Sequence, residues 1–276
     1  MIIDGRKIKE EILKEVKDGI EKLSFVPLFC DVLVGDDTVS AQYVRMKAKN
    51  AESVGIKFRS ANFPASITTT ELIQEIENLN RVPHMCGIIV QLPLPDHIDK
   101  QVVLDAILPT LDVDCLGTVA SEKFYNNENP TDFPTAMACM RIIVEEETNL
   151  EGKNIVVLGR GTLVGKPVAH LIQAKNLSVT VVNSKTENAD EIMKNADVII
   201  SGIGKGKFIT GDKIKEGAVI IDAGTSEDNG GVVGDVDLDS VMLVVSHVSP
   251  TPGGVGPVTV AMLLKNVLYV AENLKQ

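Results

Sequence analysis

The residues best suited to acid–base chemistry are a tyrosine and a lysine that lie four positions apart. Tyr43 and Lys47 fall in a segment with helical periodicity, so their phenol and ammonium groups share one face of the predicted helix. Gln91 follows a short apolar strand and precedes Leu-Pro-Leu-Pro, and we expect its amide to project from the carboxyl end of that strand. A solvent-exposed helix face and an ordinary turn are the alternatives for each feature taken alone.

Two carboxylates form a second candidate group. Asp112 and Asp114 lie in residues 111–115, and we expect them to point to different sides, so that at most one of them acts on a ligand. Residues 249–257 form a further candidate, a stiff loop rich in glycine and proline that precedes the last predicted helix. A ligand-binding loop and a hinge are compatible interpretations of that segment.

A glycine-rich turn lies between a predicted strand and a predicted helix. Gly159, Gly161 and Gly165 follow the apolar residues 155–158, and Pro167 suits the first turn of the helix. Glycines let backbone N–H groups approach a pyrophosphate, and the helix N-terminus adds partial positive charge. The spacing G-x-G-x-x-x-G is one residue longer than the usual dinucleotide fingerprint, so a purely structural turn is the alternative. The pattern favours nucleotide binding.

The end of the next predicted strand indicates which nucleotide is bound. An NAD site usually carries an acidic residue there, which bonds the ribose 2′-hydroxyl. Here Asn183, Ser184 and Lys185 follow the strand, and the first acid is Glu187. A hydroxyl and a cation suit a 2′-phosphate, and Arg160 in the turn adds a second cation. We therefore predict NADP, with ordinary solvated charges as the alternative.

Strand and helix patterns alternate along the whole chain, which is typical of an α/β fold with mostly parallel sheets. Apolar runs predict strands at residues 30–34, 57–63, 87–90, 155–158, 179–182, 198–200 and 219–221. Helical spacing predicts helices at residues 8–23, 40–53, 71–79, 135–146, 167–174, 189–195 and 257–274. The rhythm restarts after residue 149, so two domains fit better than one.

We place a catalytic domain at residues 1–138 and a Rossmann-like domain at residues 139–256. The final helical segment, residues 257–276, is strongly apolar on one face. We expect it to return to the first domain and complete it.

Composition and charge limit the partners. The chain has 276 residues with 27 Lys and Arg against 38 Asp and Glu, a net charge of −11, which gives no general attraction to nucleic acid or anionic lipid. An anionic ligand must then be held by local cations and backbone amides. The four cysteines form no C-x-x-C pair and no zinc-type cluster, so we expect reduced thiols and no metal. We find no signal peptide and no apolar run near the ~20 residues of a membrane span, and predict a cytoplasmic protein without membrane contact.

Six motifs occur in a characteristic order. They are Tyr43-x-x-x-Lys47, Val90-Gln-Leu-Pro-Leu-Pro95, Asp112-Val-Asp114, Gly159-Arg-Gly-Thr-Leu-Val-Gly165, Val233-Gly-Asp-Val236 and Pro252-Gly-Gly-Val-Gly-Pro257. Together they resemble the bifunctional methylenetetrahydrofolate dehydrogenase/cyclohydrolase family over nearly the whole chain. The resemblance implies NADP-dependent oxidation of 5,10-methylenetetrahydrofolate, followed by hydrolysis of the methenyl product to 10-formyltetrahydrofolate. It also implies a homodimer.

The resemblance assigns roles to matching residues. Lys47 would be the central catalytic group, Tyr43 would orient folate and support Lys47, Gln91 would tune Lys47, and Asp114 would grip the pterin. The loop residues Pro252, Gly253 and Gly254 would also contact the substrate. With the residues argued above, the predicted NADP contacts are Gly159, Arg160, Gly161, Gly165, Ser184, Lys185 and Thr225.

Some positions depart from the family pattern. Gly161 replaces a common Ser in the turn, and Asn183 replaces a common His before Ser-Lys-Thr. These changes concern cofactor contacts and leave the lysine-centred set intact. Two alternatives stay open: a dehydrogenase of another substrate class, such as a shikimate-like enzyme, and a nucleotide-binding protein that kept the fold without activity.

Overall fold

The structure is a computed structural model that describes residues 1–128, 131–146, 149–228 and 230–274, and the chain divides into two compact units. The three-stranded unit comprises residues 11–134 and 260–276, and the five-stranded unit comprises residues 1–10 and 135–259. Residues 1–10, 135–138 and 257–259, which are predicted to belong to the catalytic domain, group here with the five-stranded unit. Backbone hydrogen bonds explain this grouping for residues 1–10, because Ile3 donates to Val248 at 2.9 Å and Val248 donates to Met1 at 2.9 Å.

The three-stranded unit is built around a parallel sheet. Its strands are β1 (Leu28–Val34), β2 (Lys57–Phe63) and β3 (Met85–Val90), in the order β2-β1-β3. Every residue of the central strand β1 is buried, as is typical of a parallel strand covered on both faces. The chain crosses from β1 to β2 on one side and then to β3 on the other. The carboxyl ends of β1 and β3 therefore flank a topological switch point, where α/β sheets usually bind ligands.

Ten α-helices, named α1 to α10 in chain order, are present in the described residues, and they cover most of the helical segments predicted from the sequence. They are α1 (Gly5–Ile20), α2 (Thr38–Ser53), α3 (Thr69–Asn80), α4 (Lys100–Asp105), α5 (Thr118–Tyr125), α6 (Pro134–Glu145), α7 (Gly165–Ala174), α8 (Ala189–Lys194), α9 (Leu238–Val241) and α10 (Val255–Asn273). Local caps fix where they begin. The Asp37 carboxylate accepts the N–H of Ser40 at 2.7 Å before α2, and Thr68 and Glu71 form a reciprocal capping box at α3.

The last helix packs on the three-stranded unit from residue 260 onward. The Asn266 side chain donates to the carbonyls of Val113 at 2.9 Å and Asp132 at 2.7 Å. Gly87 lies directly beneath Val267, where a Cβ would approach to 2.9 Å. The predicted return of this helix is confirmed, and residues 275 and 276 of the predicted segment lie outside the described residues.

The expectation that no apolar segment approaches the length of a membrane span was wrong for this helix. At 19 residues, α10 is long and apolar enough to cross a membrane by length and composition alone. However, 61% of its most apolar window is buried inside the protein, and the buried core helix of a globular fold passes the same test. The contacts of Asn266 and Val267 described above are those of a helix packed against the protein interior.

The five-stranded unit carries a second parallel sheet. The strands of this unit are β4 (Ile155–Leu158), β5 (Val179–Val182), β6 (Val198–Ser201), β7 (Val219–Asp222), β8 (Ser226–Asp228), β9 (Gly231–Val233) and β10 (His247–Val248). The sheet order is β10-β7-β6-β4-β5, while β8 and β9 form a separate antiparallel hairpin. The order reverses at β4, which makes the carboxyl ends of β4 and β6 the switch point of a Rossmann-like sheet. The predicted α/β class is confirmed.

Candidate active site

Lys47 is a buried lysine held by two side chains. Its Nζ donates to Oε1 of Gln91 at 2.7 Å and to Oδ2 of Asp31 at 2.8 Å. The Gln91 Nε2 in turn donates to the carbonyl of Leu92 at 2.8 Å, which orients the amide so that its oxygen meets the amine. The structure thus brings together the lysine and the glutamine that the sequence singled out, and a solvated helix face is excluded for Lys47.

The local fold explains this meeting. Lys47 lies on the face of α2 that covers the sheet, and Gln91 is the first residue after β3. The backbone N–H of Gln91 donates to the carbonyl of Val32 at 2.8 Å, so the end of β3 is fixed beside β1. The Leu92–Pro93 bond that follows is cis, as is Thr251–Pro252. The glutamine therefore lies at the switch point of the three-stranded sheet.

Tyr43 lies one helical turn before Lys47 and is 38% exposed. The side chain is therefore partly accessible from solvent. The i, i+4 spacing gives the two side chains one face of α2, as predicted. Its predicted role toward folate stays a prediction.

Asp31 is a functional candidate that is absent from the residues predicted from the sequence. This residue is the centre of β1, and none of its surface is exposed. Burial raises the pKa of Asp31, and the charge and hydrogen bond of Lys47 oppose that rise. The sequence did carry a signal for Asp31, since an acidic residue within an otherwise apolar predicted strand requires a partner of opposite charge.

Asp112 and Asp114 have different surroundings. The Asp112 carboxylate accepts backbone N–H groups from Asp114 at 3.2 Å and Gly117 at 2.8 Å, so it fixes its own turn. Asp114 is half-buried, and burial raises its pKa to about 6, while the charge of Lys47 opposes the rise. Residues two apart share a face of an extended chain, so the expected difference in direction does not follow from an extended segment; here residues 113 and 114 form a turn.

The glycine turn of the five-stranded unit is tightly built. Gly159 has φ +103°, and its N–H donates to Val182 at 2.8 Å. A Cβ on Gly165 would lie 2.2 Å from the Gly159 carbonyl oxygen, so only glycine lets the start of α7 approach the end of β4 this closely. A Cβ on Gly161, by contrast, would meet nothing within 4 Å. The turn fits a pyrophosphate, because open space lies beside a helix N-terminus.

The residues predicted to bind a 2′-phosphate lie at the ends of two neighbouring strands. Leu158 pairs with Val182 in the sheet, so the turns after β4 and β5 leave the same edge. Arg160, Ser184 and Lys185 are all exposed there. Within residues 149–228, neither Arg160 nor Lys185 is engaged in an ion pair with another described residue.

The remaining predicted ligand residues follow β7 and β10. Thr225 is exposed and follows the end of β7. Pro252 is exposed, and Gly253 has φ +109°. Gly254 is buried, its N–H donates to Pro250 at 2.7 Å, and a Cβ there would lie 2.5 Å from the Pro250 carbonyl oxygen. The loop is therefore fixed by close backbone packing.

A buried carboxylate pair supports this edge and was also missed. Asp235 accepts the Ser201 hydroxyl at 2.6 Å and the N–H groups of Ile203 and Lys205. Asp222 accepts the N–H groups of Asp235 and two further residues, and its burial raises its pKa to about 6. Asp235 lies in the Val233–Val236 motif, whose spacing alone gave no sign of this tethering role.

Other chemistries find little support. All four cysteines are buried and none forms a disulfide with another described cysteine, and burial raises the pKa of Cys30 and Cys139 to about 12, which disfavours the nucleophilic thiolate. Across residues 1–128, 131–146, 149–228 and 230–274, no group of three or more His, Cys, Asp and Glu residues could hold a metal ion.

The fold defines an α/β protein of two units. One unit has a parallel sheet of the type that binds dinucleotides, and the other has the polar site centred on Lys47. The family model for the tetrahydrofolate dehydrogenase/cyclohydrolase catalytic domain matches residues 3–114. The model for the NAD(P)-binding domain of the same family matches residues 133–275. The chain belongs to the tetrahydrofolate dehydrogenase/cyclohydrolase family, as the sequence motifs predicted.

Individual relatives agree over the full length. The chain is 40% identical over 272 residues to the bifunctional protein FolD 2 of Lactobacillus johnsonii, which covers 97% of this chain and 95% of the relative. It is similar to the crystal structure of the Campylobacter jejuni bifunctional enzyme FolD, with a TM-score of 0.94, 34% identity and 99% of both chains covered. The Trypanosoma brucei FolD structure, complexed with NADP and an inhibitor, superposes with a TM-score of 0.93 at 36% sequence identity. The match covers 99% of this chain and 97% of that chain.

The shikimate alternative finds support in fold only. Shikimate dehydrogenase from Aquifex aeolicus superposes with a TM-score of 0.55 at 16% identity, covering 90% of this chain and 97% of that one. Such a likeness reports a shared architecture, because function depends on the site residues.

Proposed function

We propose that this protein oxidises 5,10-methylenetetrahydrofolate with NADP and hydrolyses the methenyl product to 10-formyltetrahydrofolate. The observation that carries the proposal is the buried Lys47 amine 2.7 Å from the Gln91 amide oxygen, in a chain of this family. A lysine placed in a dry site can move protons, which the second reaction requires and the first does not.

Oxidation is mainly a matter of orientation. A C–H bond of the bridging carbon breaks with its electron pair, and the lone pairs of N5 and N10 stabilise the resulting cation. Bound NADP supplies the hydride acceptor. The chain's task is to hold the folate, with Tyr43 beside the ring system and the Asp114 carboxylate accepting hydrogen bonds from the donor-rich edge of the pterin.

Hydrolysis adds two proton transfers through Lys47 and one to solvent. Water adds to the bridging carbon of the cation, and one water proton passes to the Lys47 amine. The C–N5 bond then breaks, its electron pair goes to N5, and N5 receives the proton from Lys47. The hydroxyl becomes the formyl carbonyl and releases its proton to solvent, so one water is consumed and one proton is released. Gln91 does not titrate, and its amide holds the Lys47 amine in place.

The nucleotide is held at the edge of the five-stranded sheet. Backbone amides of the turn that contains Gly159, Gly161 and Gly165 would hold the pyrophosphate. Arg160, Ser184 and Lys185 would hold the 2′-phosphate, which favours NADP over NAD. Thr225 completes the cofactor contacts, and Pro252, Gly253 and Gly254 contact the substrate.

We also propose the domain boundaries, the oligomeric state and the cellular location of the protein. We assign the catalytic domain to residues 1–138 with the helix at 257–276 and the NADP domain to residues 139–256, a division along the chain in which residues 1–10 nevertheless group with the five-stranded unit. The protein is proposed to be a cytoplasmic homodimer that acts on a small-molecule folate and binds neither nucleic acid nor membranes. Light scattering on the purified protein tests the dimer directly, since a monomer mass at micromolar concentration excludes it.

A coupled spectrophotometric assay tests the main proposal. With methylenetetrahydrofolate and NADP, we expect NADPH and methenyl absorbance to rise together, and methenyl supplied alone should decay to the formyl product. Shikimate and NADP serve as the comparison substrate pair. Turnover of shikimate without turnover of the folate would support the alternative enzyme class, and tight folate binding without turnover would support an inactive binding protein.

A further inference from the structure

We propose that Asp31 is a positioning residue that holds the Lys47 amine and retains the proton on the Asp31–Lys47 pair, so that it sets the pH range of hydrolysis without governing hydride transfer. This inference rests on the proposed function. It concerns a residue in the middle of β1 that belongs to none of the six motifs that carry the family resemblance.

The geometry of Asp31 is unusual for a residue in the centre of a strand. β1 is buried along its whole length, and Asp31 is fully buried within it. Its Oδ2 lies 2.8 Å from Nζ of Lys47, while its Oδ1 is buried and has no hydrogen-bond partner among the described residues. A carboxylate is expensive to bury, and an unsatisfied oxygen adds to that expense.

Other buried aspartates behave differently. Asp112, Asp222 and Asp235 each accept at least two backbone N–H groups, so each fixes the course of a loop. Asp31 accepts none through its side chain within the part of the chain that the structure describes, and its hydrogen-bond partner is the Lys47 amine. Its carboxylate thus acts on the amine and does not tether backbone.

The charges around the amine make Asp31 the dominant neighbour. Asp31 faces Lys47 from β1, and Asp114 interacts with both from the segment after α4. Arg59 on β2 and the thiol of Cys30 on β1 are the other groups of this region, and Arg59 acts on Cys30. Gln91 is neutral. Among these groups, Asp31 supplies the negative charge in direct contact with the amine.

Loss of this charge has a defined consequence. A carboxylate at hydrogen-bond distance favours the protonated pair, and its removal makes the proton easier to lose. Hydrolysis needs an amine that can accept a proton from water, so its half-maximal rate should move to lower pH. Hydride transfer moves no proton, so its rate should stay unchanged.

The test compares three variants with the parent protein. Asp31→Asn keeps the shape and removes the charge, while Asp31→Val suits the apolar strand and removes the hydrogen bond too. Cys30→Ala is the matched control, because the side chain of the adjacent buried residue points to the opposite face of β1. For each protein, hydrolysis and NADP-dependent oxidation are measured between pH 5.5 and 9.5, a span of about four pH units.

We expect the half-maximal pH of hydrolysis to fall by about one to three units in both Asp31 variants, as is typical when a contacting opposite charge is lost. Oxidation should stay within about twofold of the parent rate, a change too small to indicate a lost contact. The Cys30→Ala profile should match that of the parent.

Three outcomes would overturn the inference. An unshifted hydrolysis profile in a folded Asp31 variant gives the residue a structural role only. Equal loss of both activities means that it does not act on hydrolysis selectively, and failure of both Asp31 variants to fold makes it a requirement of the strand. A parent protein that lacks both activities contradicts the proposed function instead, so the two failures are distinguishable.

Discussion

Lys47 and Gln91 are 44 positions apart in the chain, and their side chains meet at 2.7 Å. Their meeting depends on the parallel pairing of β1 with β3, which puts the residue after β3 beside the helix that follows β1. The amide cannot titrate, so it fixes the position of the amine and adds no second proton. This relationship gives the three-stranded unit its capacity for directed proton transfer.

The Asp114 carboxyl should make folate binding depend on pH. Burial raises the pKa of Asp114 to about 6, so the group loses its negative charge as the pH falls through that value. The protonated acid accepts hydrogen bonds from the pterin poorly, and KM for methylenetetrahydrofolate should therefore rise below pH 6.

Asp114→Asn should remove this step and raise KM at pH 7.5 by about tenfold, the loss expected for one charged hydrogen bond. Steady-state oxidation at saturating NADP, measured across pH 5 to 8 or about three units, checks both statements. Asp112→Asn is unsuitable as a control because Asp112 holds the turn that presents Asp114. A parent KM that is constant across pH 6 would contradict the assignment of Asp114.

The two cations beside the glycine turn should decide cofactor choice. Lys185→Ala and Arg160→Ala each remove a charge proposed for the 2′-phosphate, so NADP binding should weaken by about tenfold or more while NAD binding changes little. Lys175→Ala, an exposed lysine after α7, is the control. Equal losses for the two cofactors in isothermal titration would remove the 2′-phosphate assignment.

The C-terminal helix should stabilise the three-stranded unit through Asn266. Its side-chain amide donates to two carbonyls, and Asn266→Ala should lower the free energy of unfolding by about 1–3 kcal/mol. Asn273→Ala removes an exposed amide from the same helix and should cost less than about 0.5 kcal/mol. Urea denaturation measures both, and identical midpoints for the two variants would contradict this role of Asn266.

The sequence predicted the elements whose pattern is strong. The strands at 57–63, 155–158 and 179–182 agree with the structure to the residue. The last two are uninterrupted runs of apolar or β-branched residues that end at a turn residue. The family resemblance implied that Gln91 acts on Lys47, and the structure has the two side chains in contact. The cis peptide bonds at Leu92–Pro93 and Thr251–Pro252 cannot be read from the sequence, because an X–Pro bond is trans in most cases.

Other features could not be read from local pattern. The helices α4 and α9 and the strand β10 are too short for a period to register, and the hairpin β8–β9 lies outside the parallel sheet. Asp31 looked like one residue of an apolar strand, since its partner lies 16 positions away on a different element. The Asp222–Asp235 tether likewise depends on contacts that only the folded chain brings together.

The most direct test of the account is the hydrolysis rate of Lys47→Met with methenyltetrahydrofolate as substrate, with Lys49→Met, an exposed lysine on the same helix, as the control. We predict that the Lys47 variant loses hydrolysis by about 10²–10⁴-fold, the usual contribution of a positioned acid–base group, while NADP binding stays at the parent value. A folded Lys47→Met protein that hydrolyses the substrate at the parent rate would contradict the central role of this amine.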